Sequence, residues 1–438
     1  MNKVREIYDK YFPLFLFAIS FGLIFIDSYN YAMKCILGVV LCTCSICLLL
    51  KFRNNRYYIF LFGIICYVNL TICISDCFFN ATLTVMPTSL AWQNLRGTVY
   101  ETRFLKALCI FLSLVNLFTS KNSFEDVAPL KNKDSLFCYL FGLAILIYGL
   151  FNSYQGGMTV GDEYVSNTNA IYEYCILFFL LTWYYSGDSK IKKAILLVYS
   201  IIYIIISIIH GDRSSAFPMV MIVVILYFPR ITLKGIVIFS ILGIFASNII
   251  SVYRNNYSLQ NFWSNFITYY GFKSICSDTV SFSYYTGITI AYVRSYLGGT
   301  LKYFWDFLIG IILGGSYGTA DVTTFCRQYS MNRGGGMCVA NFYFWFGYVG
   351  VIIFGIFIAY LCNRLKGKRE GVCYLIKIYM VANVFRWYLY TSFDLFRGVL
   401  FVLPVSFLIF HSIDVLSIKA MNYLKRAKEN GHTKKETR

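Results

Sequence analysis

The segment His210-Gly211-Asp212-Arg213-Ser214-Ser215 places an imidazole, a carboxylate and a guanidinium in one short turn between two apolar runs. Such a turn needs only a glycine and one polar residue. Ionisable groups at the lipid boundary are costly to hold and point to function. The competing readings make Arg213 an interfacial anchor with a snorkelling stem and His210 a structural histidine. A second set of charges lies between Ser251 and Gly336: Arg254, Arg294, Arg327 and Arg333, with Asp278, Asp306 and Asp321 between them. Arginine carries a permanent, planar fork suited to phosphate and carboxylate. It outnumbers lysine there (Lys273 and Lys302), although lysine is common elsewhere. The plainer alternative is that a long loop carries charge for solubility.

The elements that must position these residues are set by composition. Of 438 residues, 58% are hydrophobic and only 14% charged, against about 25% charged in soluble chains. Mean hydropathy is +0.61. Repeated apolar runs of about 17–25 residues are the signature of membrane-crossing helices, so the expected fold is an all-α polytopic membrane protein. No small-residue cleavage site follows the first run, which reads as a retained span. The net charge of +18 does not describe a nucleic-acid-binding face. Lys and Arg gather in short segments between alternate runs, the positive-inside pattern.

That pattern predicts about twelve spans with both termini cytoplasmic. Residues 1–250 hold spans one to nine, with outer loops at 76–103, 152–169 and 210–215. Residues 251–336 form one long external loop. Spans ten to twelve occupy 337–416, and 417–438 make a basic cytoplasmic tail. Span ten runs from Met337 to Leu361, span eleven from Val372 to Phe393, and Asp394 to Arg397 form a brief outer turn. Within the long loop, Leu301 to Leu313 is apolar and aromatic but too short to cross. It reads as an interfacial or re-entrant helix. Glu173 and Arg386 are intramembrane charges that can pair or line a cavity, while Lys106 and Lys377 lie nearer span ends and are expected to snorkel.

Most of the 15 cysteines fall within spans, where they act as small hydrophobes. Cys77, Cys276, Cys326 and Cys338 lie near the outer side and could supply one disulfide. No metal-ligand spacing, phosphate-binding glycine loop or serine-hydrolase elbow occurs.

This architecture resembles the Wzy-type O-antigen and capsular polysaccharide polymerases of bacterial inner membranes, a GT-C-like family. Two local features carry the resemblance: the Gly-x-Arg turn Gly211-Asp212-Arg213, and the run Phe342-Tyr343-Phe344-Trp345-Phe346-Gly347-Tyr348-Val349-Gly350 entering a late span. Asn341 stands where many relatives carry an acid. The resemblance implies a glycosyltransferase that joins oligosaccharide repeat units carried on undecaprenyl diphosphate at the periplasmic face, for O-antigen, lipopolysaccharide or capsule. Donor and acceptor would both be undecaprenyl-diphosphate-linked glycans in membrane lipid, with a chain-length regulator as a further partner. No metal or other cofactor and no nucleic acid is implied. A lipid diphosphate leaving group needs its charge stabilised, a task for Arg213, Arg254, Arg294, Arg327 and Arg333. The acceptor hydroxyl needs a general base, with His210, Asp212, Asp278 and Asp321 as candidates. The related ligase and a lipid-linked oligosaccharide flippase or other transporter are the alternatives. Against the transporter stand the absence of a visible internal repeat and the length of 251–336.

Overall fold

The computed structural model describes residues 2–79, 95–120, 132–154, 168–228, 233–256, 261–273, 276–298, 300–330, 332 and 335–436. Among these the chain is helical. Only isolated bridges, Asp134 to Ser186 and Tyr154 to Thr168, interrupt that character. The first half contains α1 (Asn2–Gly22), α2 (Tyr31–Phe52), α3 (Tyr58–Ile72), α4 (Val99–Phe118), α5 (Leu136–Phe151), α6 (Ala170–Tyr184), α7 (Lys190–Ile209), α8 (Arg213–Tyr227) and α9 (Leu233–Asn256). Then come α10 (Phe262–Tyr269), α11 (Asp278–Leu297), α12 (Lys302–Leu313), α13 (Val322–Cys326), α14 (Cys338–Phe346), α15 (Tyr348–Leu365), α16 (Gly371–Ala382), α17 (Val384–Leu389) and α18 (Leu403–Glu436).

Among the described residues, five helical stretches are long and apolar enough to cross a membrane: Tyr31–Phe52, Tyr58–Phe78, Lys190–Ile209, Tyr348–Leu365 and Asp394–Tyr423. Six shorter apolar helices accompany them. The outward surface fits a lipid solvent. On α7, Ile191, Ile195, Val198, Ile202, Ile205 and Ile209 face outward, whereas Tyr199, Ser200, Tyr203 and Ser207 are buried. A water-soluble helix shows the opposite arrangement, and apolar surface on this scale marks a membrane-facing wall.

The core is built around α4, which packs against α1, α2, α11, α14 and α15. Close approach is secured by small residues, as in other membrane bundles. A Cβ at Gly355 would lie 3.1 Å from Leu114, and one at Gly287 would meet the Phe104 ring at 2.4 Å. Stacked Phe111 and Phe354, with centroids 5.2 Å apart, complete the α4–α15 seam.

The greatest departure from the sequence reading is in residues 251–336. The expected long loop is largely helical, and α11 is a core element. Its Ser281, Ser283, Tyr284, Tyr285, Thr286 and Thr289 are buried. Hydroxyl-rich composition keeps the hydropathy of α11 low, so it does not look like a core helix, yet both of its central tyrosine hydroxyls find carboxylate partners inside the protein. Tyr284 donates to Glu101, which is itself 2.7 Å from the buried Lys34 ammonium. Tyr285 donates to buried Asp76. This network ties α11 to α2, α4 and the wide-turn end of α3. Farther along, α12 occurs where an interfacial helix is expected, with Trp305, Ile309, Ile312 and Leu313 exposed and Phe307 and Gly310 buried.

Five other expectations are corrected. Span ten is broken at Gly347, whose φ of +66° separates α14 from α15; a side chain rarely tolerates that region. Span eleven is broken at Asn383 and again beyond Leu389, and the carbonyls of Leu389 and Tyr390 accept from the N–H groups of Met337 and Gly336 at 2.9 and 2.8 Å. The supposed outer turn Asp394–Arg397 belongs to a π-helix, Asp394–Val402, that runs into α18. Lys106 and Lys377 do not snorkel: both are buried. Lys106 donates to the Ile26 carbonyl. Lys377 donates to the Lys368 carbonyl at 2.8 Å and sits over the rings of Tyr57 and Tyr374. Cys77, Cys276, Cys326 and Cys338 are buried free thiols, so the disulfide they could supply is not formed among them.

Candidate functional site

The site grows from the start of α8. Gly211, with φ +66°, turns the chain out of α7, and Asp212 caps α8. One Asp212 oxygen accepts from the Ser215 N–H at 3.2 Å and the Ser214 hydroxyl at 2.6 Å. The other accepts from the Tyr154 hydroxyl at 3.1 Å. A carboxylate at a helix N-terminus satisfies orphan N–H groups, so Asp212 shapes the turn. His210 contacts the Ile206 carbonyl through Nδ1 at 2.9 Å, and its ring stacks on Tyr154 with centroids 4.0 Å apart.

This cap aims Arg213 inward. Its guanidinium grips Asp278, at the start of α11, at 2.8 and 3.2 Å. The same nitrogen donates to the Ser247 carbonyl and hydroxyl, at 3.2 and 3.0 Å, and to the Ser251 hydroxyl. Ser251 donates in turn to Asp278 at 2.8 Å, and the Thr279 N–H reaches Asp278 at 2.6 Å. Two side chains only 7% and 8% exposed thus form a fully bonded ion pair. Such bonding is what a buried pair requires.

Arg386 approaches the same helical turn from α17. It donates to the Ser214 carbonyl at 2.8 Å and the Ser215 hydroxyl at 3.4 Å. Glu173 of α6 lies 3.4 Å away, and Asp394 lies 4.0 Å away. Unlike Asp278, these two acids are 42% and 27% exposed. Glu173 and Arg386 therefore do pair. The break in α16–α17 turns Arg386 toward them, and the π-helix brings in Asp394, which sequence reasoning assigned to an outer turn. The missed signal was a charged pair, Asp394 and Arg397, within one turn of an arginine-bearing span.

A cavity of about 320 Å³ adjoins this turn. Arg213, Ser214, Ser247, Ser277, Thr279 and Tyr390 cluster at its polar end. Its walls are apolar, from Phe60, Ile64, Ile204, Val220, Met221 and Phe239. Met221 is two helical turns beyond Arg213, about 12 Å along the axis. Rim residues Ile208 and Leu242 also belong to the exposed outer surface, so the slot reaches the side of the bundle between α7 and α9.

The other predicted residues do not join this cluster. Arg294 lines a separate cavity of about 410 Å³, where it donates to Thr300 at 2.7 Å and to the Phe344 carbonyl. That carbonyl is freed by the α14 break, and a cation there is favourable. Exposed Arg327 donates to Asn332 at 3.2 Å. Asp321 caps α13, accepting from the Thr323 N–H at 3.0 Å and the Thr324 hydroxyl at 2.7 Å. The Arg254 side chain and all of Arg333 lie outside the described residues. Among the described residues, no group of three or more His, Cys, Asp or Glu is set to hold a metal ion. Chemically, the arrangement offers two buried cations, two accessible carboxylates and an apolar slot at one helical turn. Compared with known protein families, curated proteins and solved structures, the chain matches none of them.

Proposed function

We propose that the protein is a membrane glycosyltransferase that polymerises lipid-diphosphate-linked oligosaccharide repeat units. The reading takes the chain as a multi-pass protein of the bacterial inner membrane, with its site on the periplasmic side. The observation that carries it is the apolar slot ending at the Arg213–Ser215 turn, with Arg386, Glu173 and Asp394 on the other flank of that turn. A polyprenyl tail suits the slot. A diphosphate suits the cationic turn, because preorganised cations in a dry site stabilise developing negative charge. Glu173 or Asp394 takes the proton of the acceptor hydroxyl. The hydroxyl oxygen bonds to the donor's anomeric carbon as the carbon–oxygen bond to the diphosphate breaks. The lipid diphosphate leaves with the electron pair, beside Arg386. Arg213 acts as a positioning residue, since its fork is already committed to Asp278.

The test uses purified protein in liposomes with undecaprenyl-diphosphate-linked repeat units. A ladder of multimers is expected, and loss of the gene in its host should reduce the surface polysaccharide to single repeats. A retained ladder in the deletion strain would sink the proposal. Transfer only to a lipid A core would identify the ligase. The broken helices at Gly347 and Asn383 favour the transporter reading, since transporters build sites at such breaks. Movement of lipid-linked glycan across the liposome bilayer without elongation would decide for it.

A further inference from the structure

The second cavity has a different chemistry from the first. It lies where α11 ends, α12 begins and α14 breaks, and it is lined by Arg103, Arg294, Ser295, Thr300, Tyr343 and Trp345 among others. Among the described residues, no carboxylate lines it. Arg103 is held by Asp27 through both ends of its fork. Arg294 has no carboxylate within ion-pair distance among the described residues, and its bonds to Thr300 and Phe344 both use Nη1. Trp345 is 2% exposed, and its indole N–H has no hydrogen-bond partner among the described residues. The start of α12 has no side-chain cap, because its N-cap residue is Leu301; the Thr300 hydroxyl donates instead to the Phe344 carbonyl. Donors therefore outnumber acceptors around a space large enough for a small polar group. A buried donor without a partner is costly, and a helix start attracts anions.

The geometry points to a second binding site here, for a phosphate or carboxylate oxyanion carried on a hydrophilic group and held by Arg294. It lacks the apolar walls that a lipid tail needs, so it serves a ligand or a headgroup and not a second chain. Tyr343, with the Arg294 guanidinium over its ring at 5.5 Å, gives a flat face beside the cation, which suits an acidic saccharide. The inference goes beyond the proposed function and is independent of it, because it is tested by binding alone.

The experiment is thermal unfolding of the full chain in phosphatidylcholine nanodiscs, titrated with inorganic phosphate. A parallel arm uses nanodiscs of phosphatidylcholine and phosphatidylglycerol without phosphate. Arg294→Gln removes the cation but also a cap of α14. Ser295→Asp therefore serves as the second variant, since Ser295 is exposed and the change puts a negative charge into the cavity. Phosphate is expected to raise the unfolding temperature of the wild type saturably, with apparent affinity about tenfold weaker in Ser295→Asp. A shift only in the phosphatidylglycerol arm, lost in Ser295→Asp, supports the same site with a lipid headgroup as its source. No shift in either arm, or a shift that Ser295→Asp leaves unchanged, overturns the inference.

Discussion

Arg213 and Asp278 stand 65 positions apart in sequence and meet at 2.8 Å inside the bundle, sealed by the hydroxyls of Ser247 and Ser251. One was expected to hold a diphosphate and the other to act as a base; they are each other's partner. The pair joins α8 to α11 and places the turn at Ser214–Ser215 against Arg386. Removing either partner leaves a buried charge, at a cost of about 3–5 kcal/mol. Arg213→Ala and Asp278→Asn should each lower the unfolding temperature markedly in detergent. Arg213→Met combined with Asp278→Leu should recover part of the loss. Equal unfolding temperatures for wild type and both single variants would refute this role.

The half-buried acids beside Arg386 should behave differently. Glu173→Gln and Asp394→Asn are expected to leave insertion and folding intact. The variant that removes the proton acceptor should lower polymerisation by about 10²–10⁴-fold, the usual worth of a general base. The ladder assay in liposomes reads this directly. Wild-type rates in both variants would remove the carboxylates from the mechanism.

The slot can be filled without disturbing its polar end. Gly243 of α9 lines it, and a Cβ there meets nothing within 4 Å. Gly243→Phe should occupy the space intended for a lipid tail. The KM for a long-chain lipid-linked donor should rise, with less effect on a short-chain analogue and none on unfolding temperature. Equal loss with both substrates would count against a lipid-binding slot.

A pH effect is expected at Asp306, in the first half of α12. The Thr319 hydroxyl and N–H donate to Asp306 at 2.6 and 3.0 Å, and these bonds hold its carboxyl below the ordinary value of 3.8. A lowered folded value means that the stabilisation is fully present above pH 3.8 and is lost as pH falls through the lower one. Asp306→Asn should therefore be less stable than wild type at neutral pH, with the difference shrinking as the medium is acidified below 3.8. A difference that is constant with pH would contradict it.

Sequence alone determined the lipid-facing character of the chain, the helix at Leu301–Leu313, the turn that starts α8 at Arg213 and the presence of two intramembrane charges, Glu173 and Arg386, that need a partner or a cavity. Each of these is written in local chemistry: a run of apolar residues, a glycine beside a capping acid, or charges too costly to leave unsatisfied in an apolar span. Tertiary structure decided what local chemistry does not encode. A helix buried in protein and not in lipid can be rich in hydroxyls, so α11 carries no hydropathy signal although it is central to the core. The breaks at Gly347 and Asn383 rest on partners far along the chain: Arg294 on the freed Phe344 carbonyl 50 positions away, and Arg386 on the Ser214 carbonyl 172 positions away. Whether an arginine is open to an anion or already satisfied depends on such long-range bonds. Residue type set the repertoire of Arg213, Arg294 and Arg386, and packing alone assigned the first to an ion pair, the second to a polar cavity and the third to the carboxylates beside the slot.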